Sequence, residues 1–564
     1  VRIAILDGYC DEPSLLGVPP YISPYPRLLA GVAEELGHEW VYLTADEART
    51  GGIVPGQPTL PAPGAKERAL EKTAFYKRCD LLAVTGGASV PGKYLRGMPL
   101  SANEIATAAS AFPGEVLLGG PLARFSQGMV ERFGSLFAHI ARLDAEASLF
   151  DRLKGGGWAD RERTPAEEDR WSSKGARVVS EHPDHPRPLM VELSLYRGCV
   201  RHMSGGCLFC TDILYGRPVF RDPAGVIAEV AALSRRGAVN FRLGGASCLF
   251  TYRARGVGRT ETPTPDPDMI RGLLRGIWKA APSHEVLHTD NANPAVIAEH
   301  PDESREILEA VVERCTGGNA LSLGLESADP AVMKANNLNS TTEQALEAIR
   351  LTNEIGNRPS PAGLPALLPG LNFLCGLKGE TPATYEMNLD FLREVASEGL
   401  LLRRINIRQV MPTRHRFGPP AFHGDFLRFK ERVRMEIDRP MLLRLVPAGT
   451  VLRALHPEVA IGKLTFCRQA GTYPLLVAVP DVAPGGPAFD GAVIDHGDRS
   501  ATALPFPVRL NRLSLHALSL IPGIGRRRAA RIAVRRPFAS HEEAAAALDE
   551  PGLLEPLRGV LSFP

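Results

Sequence analysis

From residue 189 to about 429, short apolar runs alternate with helical patterns in one regular rhythm. The runs at 189–195, 239–243, 286–289, 320–325, 371–374 and 404–410 are separated by helical stretches that include 224–235, 269–281, 304–314, 342–354 and 384–397. Strands spaced this way cannot pair as hairpins. Each must cross over a helix to lie parallel to the last, which predicts an α/β core built as a partial, open (β/α)6 barrel. Binding groups of such barrels lie at the carboxyl ends of the strands. Residues 358–370 hold four prolines and read as a loop inserted before the fifth strand.

The flanks are organised differently. Residues 1–150 alternate apolar runs (2–6, 40–43, 81–85, 116–118) with helical stretches and predict a doubly wound, Rossmann-like domain. Its strands end in Asp7-Gly8, Thr85-Gly86-Gly87 and Gly119-Gly120-Pro121. Glycines there serve either ligand binding or tight turns. Residues 151–188 are polar, hold Gly155-Gly156-Gly157 and prolines at 183, 186 and 188, and read as a linker. The core spans 189–438. Residues 439–507 break into short apolar segments (464–467, 475–479, 492–495) that predict a small β-barrel or β-sandwich. Residues 508–564 read as helices at 513–520, 526–534 and 542–548.

Composition excludes several classes. With 564 residues, 44% hydrophobic and 23% charged, the chain is an ordinary globular one, neither disordered nor collagen-like. No apolar run approaches the ~18–20 residues of a membrane span, and the first residues read as a strand without the regions of a signal peptide, so a cytoplasmic location is expected. Nine cysteines are too sparse for a disulfide framework, so clustering among them reads as metal or redox chemistry. The net charge of +2 hides an uneven spread, because residues 499–541 carry nine Arg and no Asp, Glu or Lys. That is a phosphate-binding footprint, or a basic cap docked on the protein's own acidic surface.

Cys199, Cys207 and Cys210 follow the first barrel strand in a stretch that also holds Gly198, Gly205 and Gly206. Three thiolates within twelve residues can wrap an iron–sulfur cluster and leave one iron without a protein ligand. Two other readings compete: a closed Cys3His zinc site with His202, and free thiols in a turn.

These residues resemble the radical SAM superfamily, whose motif is Cys-x3-Cys-x2-Cys after the first barrel strand with an aromatic residue before the last Cys. Phe209 and the last spacing match, while the first spacing holds seven residues in place of three. Phe241-Arg242-Leu243-Gly244-Gly245 ends the second strand, where the superfamily's Gly-Gly motif meets the amino group of S-adenosylmethionine (SAM), with Ala246 where an acidic residue is common. Residues 322–327, with Glu326, match the fourth-strand segment that meets the cosubstrate, and 372–381 resemble the fifth strand of tRNA methylthiotransferase and Elongator-type enzymes. The resemblance implies a [4Fe-4S] cluster on Cys199, Cys207 and Cys210, SAM contacts from Phe209, Gly244, Gly245 and Glu326, and cleavage of SAM to a 5′-deoxyadenosyl radical. It also implies a reducing partner such as ferredoxin or flavodoxin. It assigns no catalytic acid or base.

Residues 80–87 and 117–121 resemble the cobalamin-binding-like domains attached to many radical SAM enzymes. No Asp-x-His-x-x-Gly motif is present, so cobalamin stays open as a cofactor without a protein histidine on cobalt. Methylthiotransferases place three cysteines in their first domain; here there are only Cys10 and Cys79. Residues 447–507 resemble the RNA-binding barrel that follows their core. Residues 520–532 resemble a helix-hairpin-helix motif, implying phosphate contacts from Gly523, Gly525, Arg526, Arg527 and Arg528. The opening Asp7-Gly8-Tyr9, residues 16–21 and this domain order resemble a largely archaeal family of radical SAM enzymes. Modification of RNA (tRNA or rRNA) by methylation or sulfur insertion is the first expectation. The alternatives are cobalamin-dependent methylation of a protein side chain and a zinc-stabilised nucleic-acid-binding protein without catalysis.

Overall fold

The computed structural model describes residues 1–9, 20–59, 64–87, 94–411, 415, 417 and 421–563. Cys10 and residues 16–19 of the opening segment lie outside them. No helix among the described residues is long and apolar enough to cross a membrane.

The first strands are β1 (Arg2–Asp7), β2 (Tyr21–Ile22), β3 (Glu39–Thr44), β4 (Leu81–Thr85), β5 (Glu115–Gly119) and β6 (His139–Ile140). Five of them form a parallel sheet in the order β3-β1-β4-β5-β6, the expected doubly wound unit. β1 and β4 are buried along almost their whole length, which is why they read as unbroken apolar runs. Capping boxes at Thr44/Glu47 and Ser101/Glu104 start two of the helices between them. The strand-end glycines have a packing role. A Cβ on Gly8 would sit 2.7 Å from the Thr85 carbonyl oxygen, and one on Gly119 would sit 2.3 Å from Ala145.

β2 leaves this sheet and joins the next. The core strands are β7 (Met190–Ser194), β8 (Tyr196–Arg197), β9 (Val219–Phe220), β10 (Asn240–Gly245), β11 (Val286–Thr289), β12 (Asn291–Ala292), β13 (Asn319–Glu326), β14 (Leu367–Cys375) and β15 (Arg404–Gln409). Apart from β8 and β9, they form with β2 two parallel runs, β2-β7-β10-β11 and β12-β13-β14-β15, and only Asp290 separates β11 from β12 in the chain. All six expected strands are present in order. Beyond them, β16 (Val451–Ile461), β17 (Leu464–Arg468), β18 (Leu476–Pro480), β19 (Phe489–His496) and β20 (Ser500–Pro505) close into a barrel, ordered β16-β17-β18-β20-β19. The helices Leu515–Ser519 and Gly525–Arg535 pack apolar residues such as Leu518 and Ile532 against its Ile494 and Leu504.

The segment 151–188 departs from the expected linker. It folds into the helix Pro165–Lys174 and a 3-10 turn at Gly175–Glu181, with Trp171 completely buried. Its seat is the helix Pro24–Glu35, where backbone approaches backbone: a Cβ on Gly31 would meet the Trp171 carbonyl oxygen at 2.0 Å, and one on Gly175 the Arg27 carbonyl oxygen at 1.8 Å. One apolar cluster therefore runs from Ile3 through Trp171 to Phe373.

A buried ionic chain ties the same elements. Arg27, fully enclosed, donates from Nη2 to Glu229 (2.8 Å) and from Nη1 to the carbonyl oxygen of Ser23 (3.1 Å). Glu229 also accepts from Arg221 (2.6 Å), which donates to the Ser194 carbonyl oxygen (3.1 Å) and to Asp169. Burial alone would raise the Glu229 carboxyl, but Arg221 and Arg27 outweigh it and hold it below the usual range. Glu229→Gln removes the charge between two buried guanidiniums and is expected to cost about 3–5 kcal/mol, read as a lower urea midpoint; a loss below about 1 kcal/mol would contradict this role.

Candidate active site

The cysteine loop is clamped at its base. β8 and β9 pair antiparallel on either side of it, and the Cys199 N–H donates to the Gly216 carbonyl oxygen (3.2 Å). Gly198 has φ +91°, and a Cβ there would lie 2.7 Å from the same oxygen. The seven-residue spacer is a structured part of the site. It makes a 3-10 turn at Val200–Met203, then Gly205 and Gly206 at positive φ. Arg201 folds inward. It donates to Cys207 Sγ (3.1 Å), Glu261 (2.8 Å) and the Asn337 carbonyl oxygen (2.8 Å). The Asn337 side chain in turn donates to the carbonyl oxygens of Ser204 (3.2 Å) and Gly206 (2.9 Å).

All three cysteines face one cavity of about 630 Å3 at the carboxyl ends of the parallel strands, with Phe209 and Glu326 also in its wall. Burial pushes the Cys199 thiol up to about 12 and the Cys207 thiol up to about 11, with Arg201 opposing the latter; Cys210 is pushed well above its ordinary value. Glu326 ends β13 at φ +68°, and burial raises its carboxyl to about 8 against the pull of Arg408. A ladder of polar groups crosses the cavity: Asn406 donates to Asn372 (2.8 Å), Asn372 donates to Ser322 (3.0 Å), and Asn291 donates to the Ala246 carbonyl oxygen (3.2 Å). Tyr473 enters from the closed barrel and reaches Asp290 with its hydroxyl (3.1 Å), while Arg242 bonds both Asp290 and Glu192. The cavity thus has a protein floor.

The donor set fits a cluster better than a single ion. Among the described residues, no group of three or more His, Cys, Asp or Glu is arranged to hold one metal ion. His202 turns its Nδ1 to the Cys199 carbonyl oxygen (3.2 Å) and does not line the cavity that the three cysteines face. Three thiols from one loop, facing open space lined by further polar groups, match a cluster with one iron left for another ligand.

Gly244 and Gly245 do not line this cavity. A Cβ on Gly244 would lie 2.2 Å from a Glu192 oxygen, and one on Gly245 2.6 Å from the Ser194 Cα, so both serve the close approach of β10 to β7. Gly245 borders a separate recess of about 80 Å3 between the doubly wound unit (Gly120, Arg124) and the cysteine loop (Gly198, Tyr215). Asp212 and Ser247 line both spaces.

At the far end of the chain, Gly523 (φ +77°) lies under Leu553, and Gly525 (φ +56°) opens the helix Gly525–Arg535. Arg526 and Arg527 are exposed. Arg528 instead forks onto Asp549 (2.7 Å) and Glu550 (2.5 Å). Sequence reasoning missed Arg201, Asn337, the Asn291, Asn372 and Asn406 ladder, and Tyr473. The ladder had a signal, since each asparagine lies on or beside an apolar barrel strand. Arg201→Met or Asn337→Ala should leave folding intact but speed loss of reconstituted iron and sulfide in air severalfold; unchanged loss rates would remove the clamp from the account.

No protein-family model matches the chain. The uncharacterized protein MJ0274 of Methanocaldococcus jannaschii is 39% identical over 526 residues, spanning 89% of this chain and 92% of its own length. An uncharacterized protein of Archaeoglobus fulgidus is 38% identical over 556 residues, spanning 96% and 97%. A tRNA-2-methylthio-N(6)-dimethylallyladenosine synthase of Treponema pallidum is 24% identical over 208 residues, spanning 36% and 41%. Among solved structures, the radical SAM methyltransferase TsrM from Kitasatospora setae, with cobalamin and a [4Fe-4S] cluster bound, has a TM-score of 0.46 at 14% identity, covering 72% of this chain and 74% of its own. The cobalamin-dependent SAM radical enzyme OxsB has a TM-score of 0.46 at 13% identity, covering 79% and 56%. The chain belongs to the family of these two archaeal proteins, with radical SAM enzymes as its structural neighbours.

Proposed function

We propose that this protein is a radical SAM enzyme acting on RNA. The observation that carries the chemistry is the convergence of Cys199, Cys207 and Cys210, on one clamped loop, into a polar cavity at the carboxyl ends of the barrel strands. When bound, a [4Fe-4S] cluster and SAM supply hydrogen-atom abstraction from an unreactive carbon. The chain's own part is positional. The three thiolates hold the cluster, and Arg201 fixes Cys207 by a charge-assisted bond. Asn291, Ser322, Asn372 and Asn406 offer amide and hydroxyl groups to a polar cosubstrate. Glu326, protonated at neutral pH in its buried setting, can donate a hydrogen bond, or ionise when an ammonium group arrives. Tyr473 closes the floor against water.

RNA as substrate rests on the exposed Arg526 and Arg527 at the start of a helix, the closed barrel beside the core, and the tRNA named for the Treponema relative. Methylation or sulfur insertion are the outcomes this reading covers. Cobalamin is named for the structural neighbours. The recess between the doubly wound unit and the cysteine loop is about 80 Å3, well below the ~300–1,000 Å3 of small-molecule sites.

Cys199→Ala, Cys207→Ala and Cys210→Ala should each abolish the visible iron–sulfur absorbance and SAM cleavage, while Cys467→Ala, in the closed barrel, should change neither. SAM cleavage retained in Cys207→Ala would sink the assignment. RNA binding should weaken steeply with salt, and the double substitution Arg526→Ala/Arg527→Ala should lower affinity and reduce the salt slope by about one to two. An unchanged slope would remove these residues from RNA contact.

A further inference from the structure

The parallel barrel has a second mouth. Around the amino-terminal ends of its strands, on the far side of Tyr473 from the cysteines, a cavity of about 810 Å3 opens between the barrel, the proline-bearing loop at 358–366 and the closed β-barrel. The chemistry described above does not use it. Its volume is that of a site enclosing a small ligand, ~300–1,000 Å3.

Its charge is one-sided. Arg187, Arg358, Arg403 and Arg453 border it, against a single carboxylate, Glu285. Two of the four are committed: Arg187 pairs with Glu285, and Arg453 pairs with Asp490 (2.6 Å). Arg403 is different. Its Nη2 donates to the Tyr473 carbonyl oxygen (2.7 Å), and its buried Nε has no hydrogen-bond partner. Arg404 beside it stacks on the Tyr473 ring, 4.6 Å from the centroid, and its Nε is also buried without a partner. Among the described residues neither forms an ion pair. Burial, with Arg499 adding like charge, holds Arg403 down at about 10. Arg403 is half-buried and lacks a counter-charge among the described residues, and a guanidinium's forked donors match a phosphate.

We propose that this cavity binds a phosphate-bearing ligand of nucleotide size, with Arg403 gripping the phosphate from within and the exposed Arg358 at the rim. Val286, Val312 and Leu364 give the rest of the ligand an apolar wall. The phosphate belongs either to a free nucleotide or to an RNA backbone. The proposal is independent of the reaction at the cysteines.

Equilibrium dialysis of the full chain, with excess SAM to fill the other cavity, tests it using uridine 5′-monophosphate, inorganic phosphate and a hexauridine RNA as probes. Wild-type protein should retain the monophosphate or the hexamer. Arg358→Ala, a surface change, should weaken that binding about tenfold, and Arg403→Gln should abolish it, with circular dichroism and iron content unchanged. Retention of the monophosphate identifies a free nucleotide as the phosphate source, and retention of the hexamer alone identifies the RNA backbone. The proposal is overturned if no probe binds, or if Arg358→Ala and Arg403→Gln both bind as the wild type does.

Discussion

The structure turns on a guanidinium with no access to water. Arg27 stands on a helix of the doubly wound unit, yet it donates to Glu229 on a helix of the parallel barrel. Glu229 then holds Arg221, and Arg221 holds the last carbonyl of β7, four residues before the cysteine loop begins at Gly198. The charge chain thus fixes the strand end from which the site is built. It cannot be loosened piecemeal, because removing any one member strands a buried charge, at a cost of about 3–5 kcal/mol. β2 adds a strand to the barrel sheet beside this chain, so the two α/β units share both a sheet and a core.

From that strand end the site assembles in layers. Backbone pairing of β8 with β9 closes the loop, Arg201 and Asn337 order its long spacer, and the strand ends opposite supply the amides. Arg201 reaches partners that lie 60 and 136 residues further along the chain. The unusual spacer therefore adds a cationic donor to one cysteine in place of mere length. Tyr473, carried by another domain, completes the floor, so the cavity requires the closed barrel as well as the parallel one.

Much of this was legible in the residues. The six barrel strands read correctly because parallel strands covered on both faces are unbroken apolar runs, and the cysteines, Phe209 and Glu326 do share one cavity. Segment 151–188 misled, because its polar composition concealed one buried tryptophan and one glycine, Gly175, placed for backbone contact. Gly244 and Gly245 carry a second reading in the structure, since both lie where β10 approaches β7. In the basic carboxyl-terminal stretch Arg526 and Arg527 stay exposed, whereas Arg528 is answered by Asp549 and Glu550, which follow in the chain. Long-range partners leave no trace in local pattern.

Cys199, Cys207 and Cys210 are proposed to hold an iron–sulfur cluster with one iron open to SAM. Electron paramagnetic resonance of the anaerobically reduced, reconstituted protein, recorded before and after adding SAM, tests it most directly. A [4Fe-4S] signal whose g values shift on adding SAM is the predicted result. A protein that takes up no cluster, or a cluster signal indifferent to SAM, would contradict it.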